Sequence, residues 1–378
     1  MSKDIILTNA RVVTADAVLD GATLVLRDGL IAAVEEGRSG LASAFDMEGD
    51  YLLPGLVDLH TDNLEKHMMP RVRVPWPAEA AIVAHDRQVL AAGITTVLDS
   101  LAVGDVWPDG ERVKTFGLAV DAWRQGRANG MFKARHALHL RCEIGHEQVV
   151  ELFRGLADDP DLLLASVMDH TPGQRQFLDG SKYRQQYPQL SDAEFEAYVD
   201  KRRSLRDAVG PAHRAEIIAL SKARDIPVAS HDDRTPDEVA EALAEGITLA
   251  EFPTSIEAAR AAHGQGMSVI AGAPNLVRGG SHSGNVSVAE LAANGVLDIM
   301  ASDYVPSSML IGAFILHDDH GFSLPAAINT VSAHPAAAIG LRDVGRLEAG
   351  LRADVLRVRR HGAMPVVDMV WRDGKRVM

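Results

Sequence analysis

One cysteine in 378 residues, Cys142, excludes an internal disulfide framework and fits a reducing compartment. Aromatic residues are sparse at 5%, and no apolar run approaches the ~20 residues that a membrane-spanning helix needs. The opening MSKDIILTNA lacks a basic start followed by a long apolar stretch, so no secretory leader is expected and the cytoplasm is the expected location. Basic residues are in deficit: 38 Lys and Arg against 52 Asp and Glu leave a formal charge of −14, which argues against a nucleic-acid partner or an anionic membrane surface. Neither internal repeats nor low-complexity segments interrupt the chain. What remains is an ordinary globular composition, 47% hydrophobic and 24% charged, with room for two domains or for one large α/β barrel with an addition. Histidine is the exception: there are 15, which directs attention to metal chemistry.

Residues 4–50 read as short strands joined by turns, with Val, Leu and Ile alternating around Asp28-Gly29, a hairpin signal. ADVLRVRR and PVVDMVWRDGKRVM repeat the pattern around Asp373-Gly374. Two strand-rich ends predict one small composite β-sandwich domain from residues 1–53 and 343–378, with 54–342 as the catalytic domain; two unrelated surface hairpins are the alternative. Between 54 and 342 short apolar runs alternate with helical stretches. The runs are LVDLH (56–60), TTVLDS (95–100), ALHLRCE (137–143), LLLASVMDH (162–170), PVASHDD (227–233), ITLAEF (247–252), SVIAGAP (268–274) and DIMASD (298–303). Eight runs in ~250 residues is what a (β/α)8 TIM barrel requires. A doubly wound open sheet would want a glycine-rich turn after its first strand, and His60-Thr61-Asp62-Asn63 is not one. The longest insertion, 171–226, reads as a solvated helical elaboration closed by Gly210.

Nearly every run ends on a polar residue, and strand C-terminal ends form the active-site face of such barrels. His60 and Asp62 lie two apart at a strand end, so both side chains point the same way, as ligands of a divalent cation must. A lone H-x-D is a weak signal, and taken alone His60 reads more readily as a histidine hydrogen-bonded in a turn. His139, Arg141 and Glu143 share one side of the third run, where charge is costly unless paired or coordinating, and Glu143 is placed to bridge two cations. Cys142 then faces outward as a small apolar residue. The fourth, fifth and eighth runs end in Asp169-His170, His231-Asp232-Asp233 and Asp303. Each of these alone is ordinarily structural. The joint placement of His60, Asp62, Glu143, His170, His231 and Asp303 at one end of different strands points to a divalent-metal hydrolase. After the seventh run, RGGSHSGN offers glycines whose N–H groups can approach phosphate oxygens, with Ser281, His282 and Ser283 as donors; a flexible turn is the plainer reading. Lys66, Arg71, Arg73, Arg141, Arg175 and Arg278 are candidates to neutralise a polyphosphate, although each alone reads as a solvated charge. His67, His85, His213, His263, His317, His320, His334 and His361 fall on helices or loops and read as structural.

LPGLVDLHTDN after an N-terminal β-segment, His231, SDY with Asp303, and GLRADVLRV leading back to a small β-domain together resemble the amidohydrolase superfamily. HTDNLEKHMMPR, HLRCE, MDHTPGQRQF, ASHDD, GAPNLVRGGSHSGN and SDYVPSS are similar to its phosphonate-metabolism branch, over essentially the whole chain. The resemblance implies a barrel with a composite β-sandwich, one or two divalent cations (zinc foremost, iron or manganese as alternatives) and release of pyrophosphate from a ribosyl methylphosphonate triphosphate. It also implies Asp303 as general base as well as ligand. Asp62 stands where the superfamily commonly has the second histidine of H-x-H, and no strand-end lysine is present, so Glu143 would take the bridging role. Glu251 stands where some relatives place a histidine, which leaves either His170 or Glu251 to complete the second ion's shell. Homo-oligomerisation stays open. The rivals are hydrolysis of a C–N bond in a cyclic amide or aminated base, which has no evident use for RGGSHSG, and a scaffold that lost its metal.

Overall fold

The computed structural model describes residues 4–71, 74–104, 111–175, 184, 187–281 and 284–378. The N-terminal strands β1 (Ile5–Val13), β2 (Val18–Arg27), β3 (Leu30–Glu35), β4 (Phe45–Asp46) and β5 (Tyr51–Pro54) are followed by eight barrel strands. These are β6 (Leu56–Thr61), β7 (Ile94–Val103), β8 (Arg135–Glu143), β9 (Leu162–Met168), β10 (Val228–His231), β11 (Leu249–Glu251), β12 (Ser268–Gly272) and β13 (Ile299–Ala301). The C-terminal strands β14 (Val355–His361), β15 (Met364–Arg372) and β16 (Lys375–Arg376) complete a second sheet, ordered β16-β15-β14-β5-β1-β2-β3 with β4 beside β1.

The two chain ends therefore share one sheet. β14 runs antiparallel to β5, pairing Val355 with Pro54 and Leu356 with Leu53. The Arg357 Nε donates to Asp50 Oδ2 at 2.6 Å, and Arg359 adds a second guanidinium to the same carboxylate. Both Asp-Gly hairpin turns adopt left-handed backbone, with φ 53° and 86° at Asp28-Gly29 and 50° and 68° at Asp373-Gly374. Their tips abut: a Cβ on Gly374 would lie 3.3 Å from the Gly29 backbone, a tight contact that adds to the left-handed φ in favouring glycine there.

The eight barrel strands pair in chain order, all in parallel. Closure comes from a bridge between Thr61 and Asp303, with Asp303 N–H on the His60 carbonyl at 2.9 Å and Asp62 N–H on the Asp303 carbonyl at 2.7 Å. Alternation along the strands stacks the interior in layers. Leu98, Ala137, Leu164, Ala229, Leu249 and Ile270 fill the lower layer with apolar groups. Above it, Ser100, His139 and Ser166 hydrogen-bond one another, with His139 Nδ1 donating to the Leu59 carbonyl at 2.9 Å and Nε2 accepting from Ser166 Oγ at 2.9 Å. Burial pushes His139 down to about 3, so this ring is neutral at ordinary pH. The top layer carries Arg141, His231 and Glu251 to the mouth. The inward side chains are thus apolar at the sealed floor, and the polar groups gather at or just beyond the C-terminal ends of the strands.

Two helices follow β6: α1 (Asn63–Met68), and α2 (Ala78–Ala91), which packs against α1 and the outer face of β7. The insertion departs from its expected shape. A helix begins with a Ser191–Glu194 capping box and runs through Gly210 and Pro211 to Lys222. Gly210 does not take the left-handed backbone of a helix stop. Beyond it Ile217 and Ile218 are buried, and Arg214 pairs with Glu245 at 2.6 Å, which keeps the helix on the barrel. Among the described residues no helix is long and apolar enough to cross a membrane.

Candidate active site

The C-terminal mouth of the barrel holds a cavity of about 250 Å³ lined by His60, Asp62, Arg141, His170, His231, Asp232, Ser281, Asp303 and Tyr304, with Phe252, Asn275 and Asn285 among its walls. Two trios of ligating side chains face it: His60, Asp62 and Asp303, and His170, His231 and Asp232. Their spacing is informative. Two donors on one tetrahedral ion at ~2.1 Å lie ~3.4 Å apart, too far for a hydrogen bond and too close for indifference. His231 Nε2 and His170 Nε2 lie 3.5 and 3.6 Å from Asp232 Oδ2, and His60 Nε2 lies 3.6 Å from Asp62 Oδ1. Among the described residues the buried Asp232 Oδ2 has no hydrogen-bond partner, a cost that a cation at this point would remove. Imidazole and carboxylate donors at this spacing fit a divalent cation in each trio.

Carboxylates behind the rings fix which nitrogen faces the cavity. Glu251 bridges two of them, accepting from His60 Nδ1 at 2.6 Å and from His231 Nδ1 at 2.7 Å. Glu143 accepts from His170 Nδ1 at 2.9 Å. In all three rings Nε2 is left for the cavity, the arrangement that orients metal-binding histidines. Burial opposes a charge on His60, but Glu251 and Asp62 outweigh it and raise the ring to about 10. His170 is likewise raised to about 9, with Asp232 and Glu143 outweighing burial. The charge on His60, with the hydrogen bonds from His231 and His60, holds the Glu251 carboxyl well below its usual range in spite of burial.

Backbone turns at the strand ends aim the remaining groups. Asp232, Phe252 and Asp303 have φ of 59°, 56° and 52°, left-handed values that cost a non-glycine residue of order 1 kcal/mol or more. Alternation would send Asp232 outward after His231; the left-handed turn brings it back to the cavity.

The amidohydrolase family model matches residues 208–377. Over 377 residues the chain is 45% identical to alpha-D-ribose 1-methylphosphonate 5-triphosphate diphosphatase of Escherichia coli (strain K12), covering 98% of this chain and 100% of that protein. The chain belongs to the amidohydrolase family. N-acetyl-D-glucosamine-6-phosphate deacetylase from Mycobacterium smegmatis superposes with a TM-score of 0.64 at 18% identity, covering 99% of this chain and 100% of that one. 5-methylcytosine deaminase from Klebsiella pneumoniae does so with a TM-score of 0.64 at 16% identity, covering 99% and 98%. These two likenesses concern the fold.

In this amidohydrolase the cavity gathers His60, Asp62, Arg141, His170, His231, Ser281 and Asp303 from the sequence-based set. Glu143 is placed differently from the bridging position expected of it. Its oxygens are taken up by the His170 ring at 2.9 Å and the His170 backbone N–H at 3.2 Å, which sets it behind His170 rather than on the cavity wall. Arg175 is likewise not a cavity cation: it donates to the His231 carbonyl at 2.9 Å and pairs with Asp233, holding the end of β10. Lys66 and Arg278 reach the rim through Tyr304, Lys66 at its carbonyl and Arg278 at its hydroxyl, 3.4 Å away. Arg71 is exposed and lines no part of the cavity. His282, Ser283 and Arg73 lie outside the described residues. The N–H groups of Gly279 and Gly280 donate to the Leu276 and Asn275 carbonyls at 3.0 and 2.8 Å, so the turn uses them internally and Ser281 is its contribution to the wall.

Sequence reasoning missed Asp232, Tyr304, Asn275 and Asn285. Asp232 was visible in ASHDD, but strand alternation pointed away from it.

Proposed function

We propose that this amidohydrolase cleaves alpha-D-ribose 1-methylphosphonate 5-triphosphate to the 5-phosphate and pyrophosphate, as the name of its 45% identical relative states for that protein. The observation that carries the reading is the coexistence, in one cavity, of two imidazole–carboxylate trios and a cationic side chain, Arg141, beneath a rim holding Lys66 and Arg278. Two divalent cations, zinc foremost with manganese or iron as alternatives, would be held by His60, Asp62 and Asp303 and by His170, His231 and Asp232. Bound there, they would acidify water and polarise phosphoryl oxygens.

The protein's own groups divide the remaining work. One water adds to the α-phosphorus and the bond to the bridging β-phosphate oxygen breaks. Asp303, at the mouth of β13, takes the proton of that water at its carboxylate. Arg141, fixed by its ion pair with Asp62, offsets charge on the reacting phosphate, while Lys66 and Arg278 meet the outer phosphates at the rim. Glu251 and Glu143 keep three imidazole rings in register.

Phosphorus NMR of the metal-loaded enzyme with the ribosyl triphosphate should show pyrophosphate and the 5-phosphate growing in equal amounts. Orthophosphate as the first product, or turnover of a cyclic amide panel with the triphosphate left intact, would overturn the reading.

A further inference from the structure

Outside the cavity, a second group of ionisable side chains is buried between the barrel wall and α2. His85 Nε2 donates to Asp99 Oδ1 at 2.7 Å, His136 Nδ1 lies 2.7 Å from Asp99 Oδ2, and His136 Nε2 lies 3.1 Å from Asp86 Oδ1. All four side chains are inaccessible to solvent. His85, Asp99 and His136 could be mistaken for a metal site. Separations of 2.7 Å are those of direct hydrogen bonds, whereas donors sharing an ion stand ~3.4 Å apart, as they do in the cavity.

The chain of bonds leads to the active-site turn. Asn63 Nδ2 lies 2.9 Å from His85 Nδ1 and 3.0 Å from Gln88 Oε1. An amide nitrogen only donates, so His85 Nδ1 must accept, and the ring proton sits on Nε2, facing Asp99. Asn63 opens α1, directly after Asp62. That helix has six residues, too few to hold itself in water, and its N-cap Asp62 makes no capping bond. Besides the burial of Leu64 and Met68 and the Lys66 bond to the Tyr304 carbonyl, α2 supplies its side-chain anchors: Asn63 on His85 and Gln88, and His67 Nε2 on Gln88 Oε1 at 2.7 Å.

We propose that the buried chain Asp99–His85–Asn63 is a positioning device for the cavity: Asp99 fixes the His85 tautomer, the tautomer fixes the Asn63 amide, and the amide holds Asp62 in place to ligate. This rests on the reading of Asp62 as a metal ligand. Burial also lowers the His85 pKa, in keeping with a neutral ring that can accept at Nδ1.

Asp99→Asn tests the relay. In that variant the new amide's oxygen would serve His136, leaving its NH2 against His85 Nε2. The His85 proton then moves to Nδ1, faces the Asn63 NH2, and forces that amide to turn away from Gln88. Adding Asn63→Asp restores an acceptor for Nδ1–H. Nitrogen-15 NMR of the zinc-loaded enzyme should read Nε2–H in the wild type and Nδ1–H in both variants. Zinc affinity, by chelator competition, should fall by ~10-fold or more in Asp99→Asn and recover most of that loss in the double variant. Asn63→Leu, which leaves the His–Asp cluster intact, should lower affinity similarly while His85 keeps Nε2–H. A wild-type His85 protonated at Nδ1, or a double variant no tighter than Asp99→Asn, would overturn the proposal. Unchanged zinc affinity in Asp62→Asn would instead remove the ligand reading and this use of the chain with it. Unchanged affinity in Asp99→Asn with a ligating Asp62 would remove the positioning alone.

Discussion

Asp303 and Asp232 stand on strained backbone at the mouths of β13 and β10, and their carboxylates have different tasks. Replacing Asp303 by Asn keeps its shape and removes a basic oxygen. Turnover should fall by at least ~10²-fold with a modest change in KM, compared at equal metal content. Near-wild-type turnover would remove Asp303 as the base. Asp232→Asn should instead show itself in metal analysis, as loss of one bound ion per chain with the His60 trio still loaded. A third expectation follows from the raised pKa values of His60, about 10, and His170, about 9. Below these values the metal-free rings carry protons on the nitrogens a cation needs, so loading must release them. Apparent affinity should rise with pH, by up to about tenfold per unit for each proton displaced, and level off above about 10. Titration calorimetry in buffers of different ionisation enthalpy would count those protons, and an affinity independent of pH between about 6 and 9 would contradict the assignment. His60, Asp62, His170, His231 and Asp303 were legible because strand ends of a barrel share one face. Asp232 was not, because a single left-handed angle overrides period-2 alternation. Glu143 and Arg175 were assigned to the cavity from charge and position, yet each has a nearer partner, His170 and Asp233, that only the folded chain brings to it.

At the scale of elements, eight apolar runs, nearly all ending in polar residues, announced the eight barrel strands, since the strands must both seal a floor and furnish a mouth. The end of the long helix was not announced. Gly210-Pro211 looks like a stop, but burial of Ile217 and Ile218 and the Arg214–Glu245 pair outweigh a missing backbone hydrogen bond. The joint between β5 and β6 is tighter than its sequence suggests. A Cβ on Gly55 would lie 2.1 Å from Thr95 Oγ1 and 2.9 Å from Thr95 Cβ, so no rotamer of Thr95 relieves the clash. Gly55→Ala should destabilise the protein by about 1–3 kcal/mol in urea unfolding. Gly264→Ala, at a helical position with nothing within 4 Å, should be neutral or slightly stabilising and serves as the control.

On the scale of the whole molecule, the sheet shared by both chain ends is tied to the barrel core. Leu53, Leu356, Val358 and Val370 belong to the same apolar cluster as the barrel's outer wall and its helices. The buried Arg357–Asp50 pair locks the two ends together, and Arg357→Ala leaves that carboxylate with Arg359 alone. Loss of a buried partner typically costs ~3–5 kcal/mol, and the retained Arg359 places the expected effect at or below the lower end of that range. A single, cooperative urea transition at lower midpoint is the expected observation; separate transitions for sheet and barrel would contradict the shared core.

The pairing of β5 with β14 also sets a clock on synthesis. Leu53 waits for Leu356, and at ~5–20 residues per second the ribosome needs roughly 15–60 s to deliver it. Throughout that interval β5 offers an unpaired edge, and the barrel wall lacks the side chains of Leu356, Val358 and Val370. Until the last two dozen residues are made, the nascent chain carries an open edge on β5 and an incomplete apolar wall, the features that make a folding intermediate prone to association.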